Sequence, residues 1–166
     1  KVLYVCKKKS GKDYATSTNT DIYAYDLASG KTENWTEGMM GYDVNPKFSP
    51  DGKSLLWQSM ARDGYEADKN DIVVMDLASK KITNLTKSWD ESVVGDVAWS
   101  PDSKNIYFST AYRGVKQLFH IGLDGKVKQI SGGNFDVNEI IAFQSGNILV
   151  TRTDINHNAD LFKLNL

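Results

Sequence analysis

One passage of this chain occurs twice. Phe48-Ser49-Pro50-Asp51-Gly52-Lys53-Ser54-Leu55-Leu56-Trp57 returns 51 positions later as Trp99-Ser100-Pro101-Asp102-Ser103-Lys104-Asn105-Ile106-Tyr107-Phe108. In each copy an aromatic residue ends one strand, Ser-Pro-Asp makes a turn, and an apolar strand follows. Proline presets φ at the first central position, Asp can bond its own backbone, and Gly52 takes the φ > 0 position that closes the hairpin. Ser103 stands at that position in the second copy, so a changed turn or a cost of about 1 kcal/mol is expected there. A hairpin repeated at this spacing selects a repeat architecture.

A second element recurs with it. Asp21-Ile22-Tyr23-Ala24-Tyr25-Asp26-Leu27-Ala28-Ser29-Gly30-Lys31 is matched by Asp71-Ile72-Val73-Val74-Met75-Asp76-Leu77-Ala78-Ser79-Lys80-Lys81, 50 positions on. Gln117 to Lys126 is a third copy and Asp160 to Leu166 begins a fourth. Four short strands per period of this length are the blades of a β-propeller. The fold class is therefore all-β, a partial propeller of about three and a half four-stranded antiparallel blades. Residues 1–36 read as a blade lacking its first strand, 43–86 and 94–131 as full blades, and 137–166 as a blade lacking its fourth strand. Joining the two ends would give three blades, below the usual range of about four to eight. The chain thus reads as a fragment, about half of a wheel, with open edges that invite partners. Either the parent protein supplies the missing blades or a second copy does, through self-association at the open edges.

Composition adds exclusions. With 20 Lys and Arg against 21 Asp and Glu, the net charge is −1, which gives no bias toward nucleic acid or anionic lipid. No apolar run approaches the roughly 18 residues of a membrane span. The chain opens directly in the strand Val2-Leu3-Tyr4-Val5, so a leader is read as removed or never present. Cys6 is the single cysteine, so no intramolecular disulfide forms, and a buried structural role at a strand end is expected for it.

Three segments carry a family resemblance: Gly64-Tyr65-Glu66-Ala67-Asp68, Asn84-Leu85-Thr86-Lys87-Ser88-Trp89-Asp90, and Val97-Ala98-Trp99-Ser100-Pro101-Asp102-Ser103-Lys104-Asn105-Ile106-Tyr107-Phe108. In this order they resemble the propeller of prolyl-oligopeptidase (S9) family serine peptidases, in the dipeptidyl-peptidase 5 and acylaminoacyl-peptidase branch. Asn158-Ala159-Asp160-Leu161-Phe162 is similar to an element found late in such propellers. The resemblance implies a parent in which an N-terminal propeller precedes a C-terminal α/β-hydrolase domain with a Ser-Asp-His triad, acting on peptides in the periplasm or outside the cell. Periplasmic TolB-type propellers share the Ser-Pro-Asp-Gly turn, which keeps a second reading open, a non-catalytic interaction scaffold.

No catalytic residue is expected in this chain, because it has no Gly-x-Ser-x-Gly elbow to expose a serine. His120, mid-strand, and His157, in a polar loop, read as structural or surface histidines. The expected contribution is substrate access and positioning. Antiparallel strands send the 2–3 loops and the blade-to-blade crossovers to one face, where binding residues concentrate on long, varied loops. Those loops are expected at 7–20, 60–70, 110–116 and 152–159, with crossovers at 36–44, 86–94 and 131–137.

The richest is Ala61-Arg62-Asp63-Gly64-Tyr65-Glu66-Ala67-Asp68-Lys69. A dipeptide-releasing enzyme needs a carboxylate for the substrate ammonium, since a desolvated charge without a partner is costly. Glu66 or Asp68 could serve, with Tyr65 as an apolar wall and Arg62 on a backbone carbonyl or in an internal ion pair. A self-paired, solvated loop is the plainer alternative. Trp89, with Asp90 and Glu91, is a second candidate and could equally pack against a blade.

Weaker patterns point elsewhere. Asp154-x-Asn156-x-Asn158-x-Asp160 begins like a calcium loop but lacks the turn glycine and the bidentate acid, so no metal and no cofactor is expected. Asn34-Trp35-Thr36 and Asn84-Leu85-Thr86 fit a glycosylation pattern, and their repeated place at the end of strand 4 explains them better. Lys7-Lys8-Lys9 reads as a solvated tip.

Overall fold

The computed structural model describes residues 1–166 as two compact units, Lys1–Phe48 with Ser54–Asn84, and Ser49–Lys53 with Leu85–Leu166. In the first unit, β1 (Val2–Cys6), β2 (Asp21–Tyr25) and β3 (Thr32–Asn34) form a three-stranded sheet. A short helix, α1 (Gly11–Thr16), lies between β1 and β2 where a plain loop is expected from sequence. The next sheet has four strands, β4 (Asp43–Phe48), β5 (Ser54–Ser59), β6 (Asp71–Asp76) and β7 (Ile82–Asn84). In the second unit, β8 (Val97–Trp99), β9 (Asn105–Tyr112), β10 (Val115–Gly122) and β11 (Val127–Gln129) make a four-stranded sheet, and β12 (Asp136–Gln144), β13 (Asn147–Asp154) and β14 (His157–Asn165) a three-stranded one. Every pairing between consecutive strands is antiparallel, as blades require.

The central strands are buried on both faces, which is why β5 and β6 read as unbroken apolar runs and not as an alternation. The pairs Leu55↔Met75 and Trp57↔Val73 place these four side chains on one face of their sheet. There they pack with Ile22 of β2, and with Leu3, Trp35, Met39 and Leu77 around them. Leu56, Ile72 and Val74 are buried on the opposite face. In the second unit Tyr107 and Leu118 pack with Val137, Ile148 and Val150. Each such side chain contributes about 1.5–3 kcal/mol relative to exposure.

Local chemistry sets the turns. Ser49 Oγ donates to Asp51 Oδ1 at 2.6 Å, and Ser100 Oγ donates to Asp102 Oδ1 at the same distance. Gly52 and Ser103 both sit at positive φ, +70° and +61°, so the serine takes up the glycine conformation and keeps the turn. Asp26 and Asp76 perform a matching job in their hairpins. Asp26 accepts from Ser29 N at 2.9 Å and Ser29 Oγ at 3.0 Å, and Asp76 accepts from Ser79 N and Oγ, both at 2.7 Å. β4 contains a bulge between Val44 and Lys47 with Asn45 at φ +54°, which accommodates Pro46 inside a strand.

Two of the expected long loops are absent. Residues 110–116 belong to strands that meet in a tight turn at Arg113-Gly114, both at positive φ, 53° and 88°. That is the two-residue primed turn whose twist suits a hairpin. Residues 152–159 likewise extend β13 and β14 as far as a two-residue turn at Ile155-Asn156. Long 2–3 connections therefore remain only in the first unit, at 7–20 and 60–70. No helix is long and apolar enough to cross a membrane.

Candidate functional site

The loop after β5 is pinned where it starts. Met60 N donates to Tyr42 O at 2.9 Å, and a Cβ on Gly41 would lie 1.8 Å from Met60 O, so only glycine permits the approach. At the far end Lys69 Nζ reaches Asp71 Oδ1 at 2.8 Å, and Asn70 is buried.

Within the loop, Arg62 and Asp68 are brought together. Arg62 Nη2 donates to Asp68 Oδ1 at 2.8 Å and Arg62 Nε to Asp68 Oδ2 at 3.2 Å. The backbone N–H groups of Ala61, Arg62 and Lys69 also donate to this carboxylate, at 3.2, 2.9 and 3.0 Å. The Arg62 guanidinium, with help from these N–H groups, holds the Asp68 carboxyl down at about 2. The same contact raises the pKa of Arg62. Tyr65 lies under the guanidinium at 4.2 Å, and its carbonyl accepts from Asp68 N at 3.2 Å. Arg62 thus forms the internal ion pair, and Asp68 spends both oxygens inside the loop.

Glu66 is exposed, and its carboxylate makes no hydrogen bond or ion pair. It is the acid of this loop still able to meet a cation. Asp63, which attracts no notice in the sequence, turns away to residues 17–19. No sequence signal marks that role, because its partners are 44 to 46 positions away.

Trp89 lies elsewhere, in the second unit. Its half-buried ring sits edge-on to Phe108 at 5.4 Å and tilted against Phe119 at 5.4 Å, and the backbone N–H of Trp89 donates to Thr86 O at 2.9 Å. Phe108 and Phe119 are themselves stacked cross-strand partners of β9 and β10. This is the packing alternative of the two raised by the sequence.

The β13–β14 hairpin carries a cavity of about 570 Å³. Arg152 lies between the rings of Phe135 and Phe162, at 4.0 and 4.4 Å, and faces Asp154 at 3.8 Å. Asp154 accepts from Asn156 N at 2.9 Å and pairs with His157 Nδ1 at 2.8 Å, and these bonds hold its pKa below the usual carboxylate range. The oxygen-rich pattern read there closes on itself as a turn. His120, half-buried on β10, stacks on Tyr107, with burial lowering its pKa. Asn34 accepts from Thr36 N and Asn84 donates to Asp71 Oδ2, each within its own sheet.

A family model described as the TolB beta propeller domain matches residues 13–165. The chain belongs to the TolB beta propeller domain family. This propeller is 44% identical over 165 residues to dipeptidyl-peptidase 5 of Porphyromonas gingivalis, covering 99% of the chain and 24% of that protein. It is 34% identical over 127 residues to a probable dipeptidyl-peptidase 5 of Emericella nidulans, covering 71% of the chain and 17% of that protein. The propeller thus spans about a quarter of the P. gingivalis relative's length and less of the other. Among solved structures, the acylaminoacyl peptidase of Pyrococcus horikoshii superimposes with a TM-score of 0.66 at 19% identity, covering 89% of this chain and 22% of that one. TolB of Acinetobacter baumannii superimposes at 0.65 and 15% identity, covering 92% and 37%. At those identities the two structures speak for the fold alone.

Proposed function

We propose that this propeller is the substrate-gating and positioning part of a serine exopeptidase of the dipeptidyl-peptidase or acylaminoacyl-peptidase type. Its partner is an α/β-hydrolase domain of the same parent, and its ligand is a peptide. The observation that carries the reading is the 44% identity to a dipeptidyl-peptidase 5 across 99% of the chain. The loop at 61–69 supports it with one free carboxylate on a braced scaffold.

In this mechanism Glu66 pairs with the ammonium group of the peptide's amino terminus, and Tyr65 offers an apolar wall beside it. The Arg62–Asp68 pair braces the loop and does not meet the ligand. Trp89 steadies its crossover by packing. Bond cleavage belongs to the hydrolase domain, and the propeller's share is to hold the amino terminus at a fixed distance from it. Residence in the periplasm or outside the cell is part of the proposal.

The test is whether the full-length protein releases dipeptides from the amino terminus of peptides and loses that activity to a serine-directed fluorophosphonate. Absence of hydrolysis, with capture of a protein partner by the propeller, would favour the second reading, a TolB-like interaction scaffold, to which the fold-level likeness to TolB points.

A further inference from the structure

We propose that Asp63 is the positioning residue of this site, locking the 61–69 loop to the 17–19 segment so that Glu66 is held ready for the ammonium group. The inference rests on the reading of Glu66 given above.

One oxygen of Asp63 gathers three donors. Ser17 Oγ donates to Oδ1 at 2.7 Å, Thr18 N at 2.8 Å and Asn19 N at 3.1 Å. A return bond runs from Gly64 N to Thr18 Oγ1 at 2.9 Å. Gly64 has φ +73°, and a Cβ there would lie 3.3 Å from Thr16 O, so the two segments meet backbone to backbone. The receiving side is itself anchored. Lys7 Nζ donates to Ser17 O at 2.6 Å and to Tyr14 O at 3.2 Å, and Ser17 N donates to Asp13 O at the end of α1.

The lock has two consequences. The Arg62–Asp68 pair closes the neck of the loop without tying it to another segment. The bonds of Asp63 supply that tie, so the loop is ordered on folding and not at the moment of substrate binding. They also occupy the Asp63 carboxylate, with the Ser17 hydroxyl first among the donors that lower its pKa. A ligand cation then finds Glu66 without competition from its neighbour.

The experiment compares Asp63→Ala, Asp63→Asn and Glu66→Ala in the full-length protein, using a fluorogenic dipeptide substrate with a free amino terminus and hydrogen exchange of residues 16–19 and 61–68. Asp63→Ala should deprotect both segments together and raise KM about fivefold to tenfold, with kcat within about twofold. Asp63→Asn keeps the Oδ1 acceptor and should show less than half of that KM increase on a logarithmic scale; it also serves if the alanine variant does not fold. Should Asp63→Ala loosen both segments yet leave KM alone while Glu66→Ala raises it, the positioning role is overturned and the Glu66 reading stands. If neither variant moves KM, the Glu66 reading fails and takes this inference with it. Unchanged hydrogen exchange in Asp63→Ala would overturn the lock itself.

Discussion

Arg62 and Asp68 face each other through two hydrogen bonds, Nη2 to Oδ1 at 2.8 Å and Nε to Oδ2 at 3.2 Å, so each charge already has its partner inside the loop. The Asp68 side chain is 8% exposed while that of Arg62 is 64% exposed, so the acid is the inner partner. Asp68 at about 2 lies below the ordinary 3.8, so the stabilisation it brings is complete above pH 4 and is lost as pH falls through about 2. Arg62→Ala should therefore loosen the loop at neutral pH and raise KM for a free-amino dipeptide about threefold to tenfold. Hydrogen exchange of residues 61–68 in that variant should match wild type only under strongly acidic conditions.

A second acid behaves in the opposite way. Asp43 is fully buried, accepts Trp57 Nε1 at 2.9 Å on Oδ1, and leaves Oδ2 without a partner. Burial pushes its carboxyl up to about 6, with neighbouring hydroxyls offsetting only part of the effect. The folded chain keeps this proton up to about pH 6 while the unfolded chain gives it up near 3.8. Stability from this group is thus complete below pH 4 and falls as pH rises through about 6, a difference of about 3 kcal/mol. Asp43→Asn retains the acceptor for Trp57 and should raise Tm at pH 7.5 by about 6–12 °C. It should also flatten the dependence of Tm on pH between 4 and 7, measured by calorimetry.

Trp89 separates packing from ligand contact. Removing its ring from Phe108 and Phe119 by Trp89→Ala should cost about 2–3 kcal/mol in urea unfolding, less than a fully buried Trp because the ring is half-exposed. KM of the folded variant should stay within about twofold of wild type.

Ser145-Gly146 closes the β12–β13 hairpin with both residues at positive φ, 49° and 76°. Asn tolerates this conformation better than Ser and gives the favoured Asn-Gly turn. Ser145→Asn should therefore stabilise the chain by about 0.5–1 kcal/mol in chemical denaturation.

What the sequence revealed and what it hid divides along local and distant chemistry. The Ser-Pro-Asp turns are legible because Ser49, Asp51 and Gly52, or Ser100, Asp102 and Ser103, complete them within a few residues. The strand order followed from those turns, since each marks a hairpin. The 110–116 hairpin is not legible, because Arg113-Gly114 replaces the usual Asn-Gly signal and the polar Thr110, Lys116 and Gln117 disguise the ends of β9 and β10, which continue the register of their apolar centres. The candidate loop stood out through its dense charge. Which of its charges are engaged depended on bonds such as Asp63 to Ser17, which only the folded chain brings about.

The most direct measurement is the KM of Glu66→Gln in the full-length protein, for one fluorogenic dipeptide substrate with a free amino terminus and for the same substrate acetylated there. Gln keeps the size of the side chain and removes its charge. A charge-assisted hydrogen bond of about 1.5–3 kcal/mol corresponds to a KM increase of about 10- to 100-fold for the free-amino substrate, with the acetylated one unaffected. An equal KM for wild type and Glu66→Gln on the free-amino substrate would contradict the assignment of this loop to substrate positioning.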